Sequence, residues 1–122
     1  MASFCVIGIY VHDMDSALDF YCTKLGFKEI ERYNNGCIVR LENSGPPVIL
    51  EEVAHPNDSK YPGFSQVVLG IETDNIMETS DRLRKAGVTF LHKEPEEFVA
   101  GHVMAMKDPS GNVLELLQFR EE

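Results

Sequence analysis

Apolar and polar positions along the chain switch between period two and period 3.6, and they run through that switch twice. Phe4-Cys5-Val6-Ile7-Gly8-Ile9-Tyr10-Val11 is rich in β-branched and aromatic residues. It is apolar on both faces, as in a strand covered on both sides. Met14, Ala17, Leu18, Tyr21 and Leu25 then recur at helical spacing, so one helix face points to a core. Asp13 or Asp15 supplies the N-cap, and Gly26 ends the helix where a left-handed residue is wanted. Three strands are predicted between Phe27 and Val53, with the hairpin signal Asn34-Asn35-Gly36 between two of them and Asn43-Ser44-Gly45-Pro46-Pro47 as the next turn.

The pattern then repeats. Gln66 to Ile71 predicts a strand, and Thr73-Asp74-Asn75 caps a helix through Ile76, Ser80, Leu83 and Ala86 that Gly87 stops. Val88 to Leu91, His102 to Lys107 and Val113 to Phe119 predict three more strands, and Asp108-Pro109-Ser110-Gly111 fits a type I turn. The expected fold is α+β: two tandem β-α-β-β-β modules forming a half-open barrel around a concave pocket. A single domain over 1–122 is expected, with module 1 at 1–54, a polar, proline-bearing linker at 55–63 and module 2 at 64–122.

Strand alternation locates candidate chemistry. Val113, Glu115, Leu117 and Phe119 share one face of the last strand, and Leu114 and Leu116 share the other, which the helices should cover. Glu115 then stands among apolar neighbours on the concave face, where a carboxylate needs a partner, a metal, a proton or pocket solvent. Glu51, aligned with Ile49 and Val53, repeats this in the first module. Gln66, on the face of Phe64 and Val68, is a third case.

Length, charge and cysteines narrow the picture. A chain of 122 residues, 43% hydrophobic and 25% charged, can bury a core without staples. A formal net charge of −9 repels nucleic acid and anionic membranes. It favours solubility and attracts cations. No apolar run is long enough to span a membrane, and Met1-Ala2-Ser3-Phe4 does not read as the start of a signal peptide. Three cysteines, Cys5, Cys22 and Cys37, form no close-spaced pair and read as small buried apolar groups in a reducing cytosol.

Two segments carry a family resemblance. Val6 to Val11, Asp13, Asp19-Phe20-Tyr21 and Leu25-Gly26-Phe27 resemble the opening of the vicinal oxygen chelate superfamily, which includes glyoxalase I, bleomycin-resistance proteins and extradiol dioxygenases. Lys107-Asp108-Pro109-Ser110-Gly111-Asn112-Val113-Leu114-Glu115-Leu116 resembles its C-terminal signature. The resemblance implies paired modules, homodimers and, in metal-using members, four ligands on the concave sheet. Those positions fall on Val6, Glu51, Gln66 and Glu115. Val6 replaces the fourth ligand, so the remaining all-oxygen set would suit Mg²⁺ or Mn²⁺ rather than Zn²⁺, Ni²⁺ or Fe²⁺. The loss of both histidine positions disfavours dioxygenase chemistry. Tyr10, where glyoxalase I enzymes commonly carry an arginine, disfavours glutathione.

Two functions remain open at this point. One is a cytoplasmic, metal-free protein that sequesters a cationic or aromatic compound. Its ligand-binding residues would be Tyr10, Glu51, Phe64, Gln66, His102, Met104 (with Met106), Glu115 and Phe119. The other is a divalent-metal-dependent lyase, isomerase or epimerase, similar to lactoylglutathione lyase, with Glu51 or Glu115 moving a proton. Of the histidines, His12 and His55 fall in turns and His92 carries no signal, while His102 shares its alternation with Met104 and Met106. No phosphate loop or nucleophilic triad is present.

Overall fold

The computed structural model describes residues 1–65 and 67–121. Contacts divide the chain into two units, Met1–Pro56 and Asn57–Glu122.

In the first unit the order is β1 (Ile7–Val11), α1 (Met14–Leu18), β2 (Glu29–Tyr33), β3 (Ile38–Leu41) and β4 (Val48–Glu52). The strands form one open sheet in the order β1-β4-β3-β2, with β1 parallel to β4 and the other pairs antiparallel. Asp13 caps α1 by accepting from Asp15 N, and the helix continues as a π-helical stretch over Asp19–Lys24. Gly26, at φ 89°, ends it in the left-handed conformation that its lack of a Cβ allows. Asn34, Asn35 and Gly36 all take positive φ in the β2–β3 turn, which is why Asn and Gly stand there. Val11, Ala17, Val39, Leu41 and Leu50 are fully buried and form the core, with Phe20 and Tyr21 packed edge to face at 4.9 Å.

The first strand is shorter than its apolar run predicts. Phe4, Cys5 and Val6 precede it and are exposed. The reason lies in the partner: Ile7 pairs with Val48, and the residues before Val48 are Pro46 and Pro47, which have no N–H for a ladder. Nor is β1 covered on both sides, since Gly8 and Tyr10 are exposed while Ile9 and Val11 are buried.

The second unit runs β5 (Leu69–Glu72), α2 (Ile76–Lys85), β6 (Thr89–Phe90), β7 (Glu96–Phe98), β8 (Gly101–Lys107) and β9 (Val113–Phe119). Its sheet has the order β5-β9-β8-β6, and β7 also pairs with β8. The short β7 is one strand more than the repeat predicts. Strand β5 starts at Leu69, which pairs with Leu114. Phe64 accordingly lies in a turn rather than on a strand and is 75% exposed. Asn75 caps α2 by accepting from Glu78 N, and Met104, Met106, Leu83 and Leu116 fill the core.

The Asp108–Gly111 turn is closed as predicted, with Gly111 N donating to Asp108 O at 3.0 Å. Buried Asp108 also accepts from Ser110 N, Asn112 N and Asn112 Nδ2, each at 2.9 Å. Gly111 is obligatory, because a Cβ there would stand 1.9 Å from Asn57 O. Asn57 is thereby seated on this turn: its N–H donates to Ser110 O at 2.7 Å and its side chain to Asn112 Oδ1 at 3.0 Å.

Candidate functional site

The face on which each side chain of the second sheet lies is set by one hydrogen bond. Gln118 Oε1 accepts from Ile76 N, the first residue of α2, at 2.8 Å. Leu114, Leu116 and Gln118 therefore face the helix, and Val113, Glu115, Leu117 and Phe119 lie on the opposite, open face, as their alternation predicts.

The register of β8 separates part of the expected ligand set from Glu115. Met104 pairs with Leu116, Met106 with Leu114 and His102 with Gln118. All three sit on the helix side, away from Glu115. Met104 and Met106 are fully buried core residues, and His102 is exposed beside Glu97. Alternation within β8 was readable from sequence, but which half faces α2 depends on a pairing that sequence does not display. Phe119 does share Glu115's face, where its ring meets Phe98 edge to face at 6.4 Å.

Glu115 is flanked across the ladder by Gly70 on β5 and Ala105 on β8. It is half-buried, and Tyr61 donates its hydroxyl to Glu115 Oε2 at 2.5 Å. Burial, the hydrogen bond to Glu115 and the charges of Glu115 and Glu96 push the Tyr61 phenol up to about 12. Tyr61 thus keeps its proton and acts as a donor throughout the physiological range. Its ring stands edge-on to His92, with centroids 6.0 Å apart. His92 Nδ1 lies 2.7 Å from Glu96 Oε1, and a carboxylate can only accept, so Nδ1 carries the hydrogen. His92 Nε2 is buried without a partner among the described residues. Arg84 donates to the carbonyls of His92 and Lys93 at 3.1 and 3.2 Å, which fixes the backbone of this corner.

Glu115, Tyr61, His92 and Glu96 thus form one cluster on the open side of the second sheet. Sequence reading found only Glu115. Tyr61 stood in an expected linker and His92 in a strand end, and neither spacing signals contact. The one available hint was an isolated aromatic, Tyr61, in an otherwise polar stretch.

In the first unit, Tyr10, Glu51, Ile38 and Tyr33 form one row across the four strands. Glu52 Oε2 accepts from Met14 N at 2.8 Å, so Glu52 faces α1 and Glu51 lies on the open side. Glu51 and Glu115 are nonetheless not at matching places. Gly8 pairs with Ile49 as Gly70 pairs with Glu115. The two glycines each lie six residues before a helix's first residue, and Ile49 and Glu115 each lie three residues before the side chain that caps that helix. The equivalent of Glu115 is therefore Ile49, and that of Glu51 is Leu117. The similar strings Ile49-Leu50-Glu51 and Val113-Leu114-Glu115 suggest an equivalence that the ladders do not have.

The same geometry bears on metal ligation. Val6 is off the strand and has no donor, Ile49 has none, and Gln66 lies outside the described residues. Among the described residues, no three His, Cys, Asp or Glu side chains come together as metal ligands would.

Two open sheets, each beginning strand–helix and closing on a strand parallel to the first, define the class of glyoxalase-fold proteins. The chain belongs to the Glyoxalase/Bleomycin resistance protein/Dioxygenase superfamily, whose family model matches residues 4–116. It is similar to the uncharacterized protein YurT of Bacillus subtilis, 29% identical over 93% of this chain and 96% of that protein. It is also similar to a probable lactoylglutathione lyase of Synechocystis, 28% identical over 90% of each chain. TnmS3, an antibiotic binding protein from Streptomyces sp. CB03234, superposes with a TM-score of 0.75 over 98% of both chains. Its 21% identity bears on the fold alone. Among the described residues no helix is long and apolar enough to cross a membrane.

Proposed function

We propose that this chain is a binding protein of the bleomycin-resistance kind. It sequesters a cationic or aromatic small molecule on the open face of the second sheet and uses no metal. The observation that carries this reading is Glu115, half-buried, flanked by Gly70 and Ala105 and hydrogen-bonded by the Tyr61 phenol. A carboxylate so placed attracts a cation, and the chain's net charge of −9 adds to that attraction. Phe98 and Phe119 supply apolar contact on the same face. The likeness of fold to an antibiotic binding protein supports this reading. A cytosolic homodimer is part of the proposal; the three cysteines are free, but Cys5 and Cys37 are exposed and Cys22 is half-buried, rather than all three being buried as expected.

The alternative, a metal-assisted lyase or isomerase, draws support from the probable lactoylglutathione lyase relative. Elemental analysis of protein purified without added metal, paired with calorimetric titration of cationic aromatics such as ethidium and bleomycin, separates the two. Micromolar binding without stoichiometric metal is expected. A bound metal that Glu115→Ala removes would instead establish the alternative.

A further inference from the structure

Three observations converge on the Tyr61 ring. Its hydroxyl donates to Glu115 Oε2 at 2.5 Å, and its ring lies edge-on to His92. It also belongs to a stretch, Asn57–Ser65, that has neither helix nor strand and is closed on itself. Phe64 N donates to Lys60 O at 2.7 Å, Ser65 N donates to Pro62 O at 3.3 Å, and the hydroxyls of Ser59 and Ser65 meet at 3.2 Å. At its base this arm is anchored through Asn57 on the Asp108–Gly111 turn. The arm therefore presents one aromatic ring with one terminal donor to the carboxylate of the candidate site.

We propose that Tyr61 is a built-in stand-in for the ligand. The phenol holds Glu115 until an aryl compound carrying a cationic N–H donor displaces it. The inference rests on the binding reading above and names the class of compound: a single ring about the size of phenol, with an amidinium or ammonium in place of the hydroxyl.

The chemistry of the surroundings selects for that charge. Glu115 and Glu96 both act on the Tyr61 hydroxyl through their charge, and Glu72 lies on the same face of the sheet, opposite Leu117. Tyr61 offers them one neutral donor, whereas an amidinium offers several donors and a positive charge. His92 Nε2, buried and without a partner among the described residues, is a second polar atom of the cluster. A buried polar atom left unpaired is costly, so displacement of the Tyr61 ring would relieve that cost by opening Nε2 to a partner.

Occupation of the site by Tyr61 lowers the apparent affinity by the fraction of molecules in which the ring is displaced. Benzamidine is the probe of matching shape, titrated calorimetrically into the full chain. Tyr61→Ala is expected to tighten benzamidine binding by about tenfold, the gain from removing a charge-assisted competitor. Tyr61→Phe, which keeps the ring and loses the hydroxyl, should give a smaller gain. Adding Glu115→Gln to Tyr61→Ala should abolish it.

Unchanged or weaker binding in a folded Tyr61→Ala protein would overturn the proposal. Should that variant not fold, the same result in Tyr61→Phe would do so. Absence of benzamidine binding in every variant would also overturn it. The binding reading itself fails on a different result: Glu115→Gln in the wild-type background leaving the affinity for ethidium and bleomycin unchanged.

Discussion

The two units carry the same scaffold and present different chemistry on their open faces. Both last strands send a polar side chain back to cap the helix of their own unit: Glu52 to Met14 N and Gln118 to Ile76 N. Counting from those caps, the position three residues earlier is Ile49 in one unit and Glu115 in the other. In the first unit that position is apolar and Glu51 stands beside Tyr10. In the second it is a carboxylate held by a tyrosine from a segment far away in sequence. A repeated fold therefore does not repeat its site, and the register, not the string of residues, decides which positions correspond.

Substitutions in the two cores should have the largest effects and should be alike. Leu50→Ala in the first unit and Met104→Ala in the second each remove a fully buried side chain. Each should cost about 2–5 kcal/mol in urea denaturation. Met104→Ala should leave ligand affinity unchanged in the protein that remains folded, since Met104 faces the helix. A selective loss of binding would return Met104 to the site.

The helix caps come next. Glu52→Ala and Gln118→Ala each orphan the first N–H of a helix, and each should cost about 1 kcal/mol by thermal or urea denaturation. A clear inequality between them would break the equivalence of the two last strands.

The smallest effect at physiological pH is a titration. Tyr61 is raised from 10.0 to about 12, so its folded state holds the proton more tightly than the unfolded state. The stability this supplies is fully present below pH 10 and is lost as the pH rises through about 12. The phenolate absorbance that Tyr61→Phe removes should be a component that titrates late, near pH 12.

Much of the fold was legible because its signals are local. The helix starts at Asp13 or Asp15 and at Thr73-Asp74-Asn75 (Asp13 and Asn75 are the caps), Gly26 and Gly87 as stops, the Asn34–Gly36 turn and the Asp108–Gly111 turn each depend on a few neighbouring residues. The structure departs from those local signals where contacts are nonlocal. Phe4 to Val6 read as strand, yet Pro46 and Pro47 deny them a partner. His102 and Met104 alternate correctly, but only the pairing of β8 with β9 shows that they face α2. The site was half legible: Glu115 stood out as a carboxylate among apolar neighbours. Tyr61 and His92 did not, because 54 residues separate Tyr61 from the carboxylate it binds.

The contrast between the two carboxylates tests the central claim most directly. Calorimetric titration of the tightest-binding cationic aromatic against Glu115→Gln and Glu51→Gln, both folded, compares them under one set of conditions. The predicted result is a loss of about tenfold or more for Glu115→Gln, as expected for a desolvated charge pair, with a clearly smaller loss for Glu51→Gln. Equal losses, or a larger one at Glu51, would contradict the assignment of the site to the second sheet.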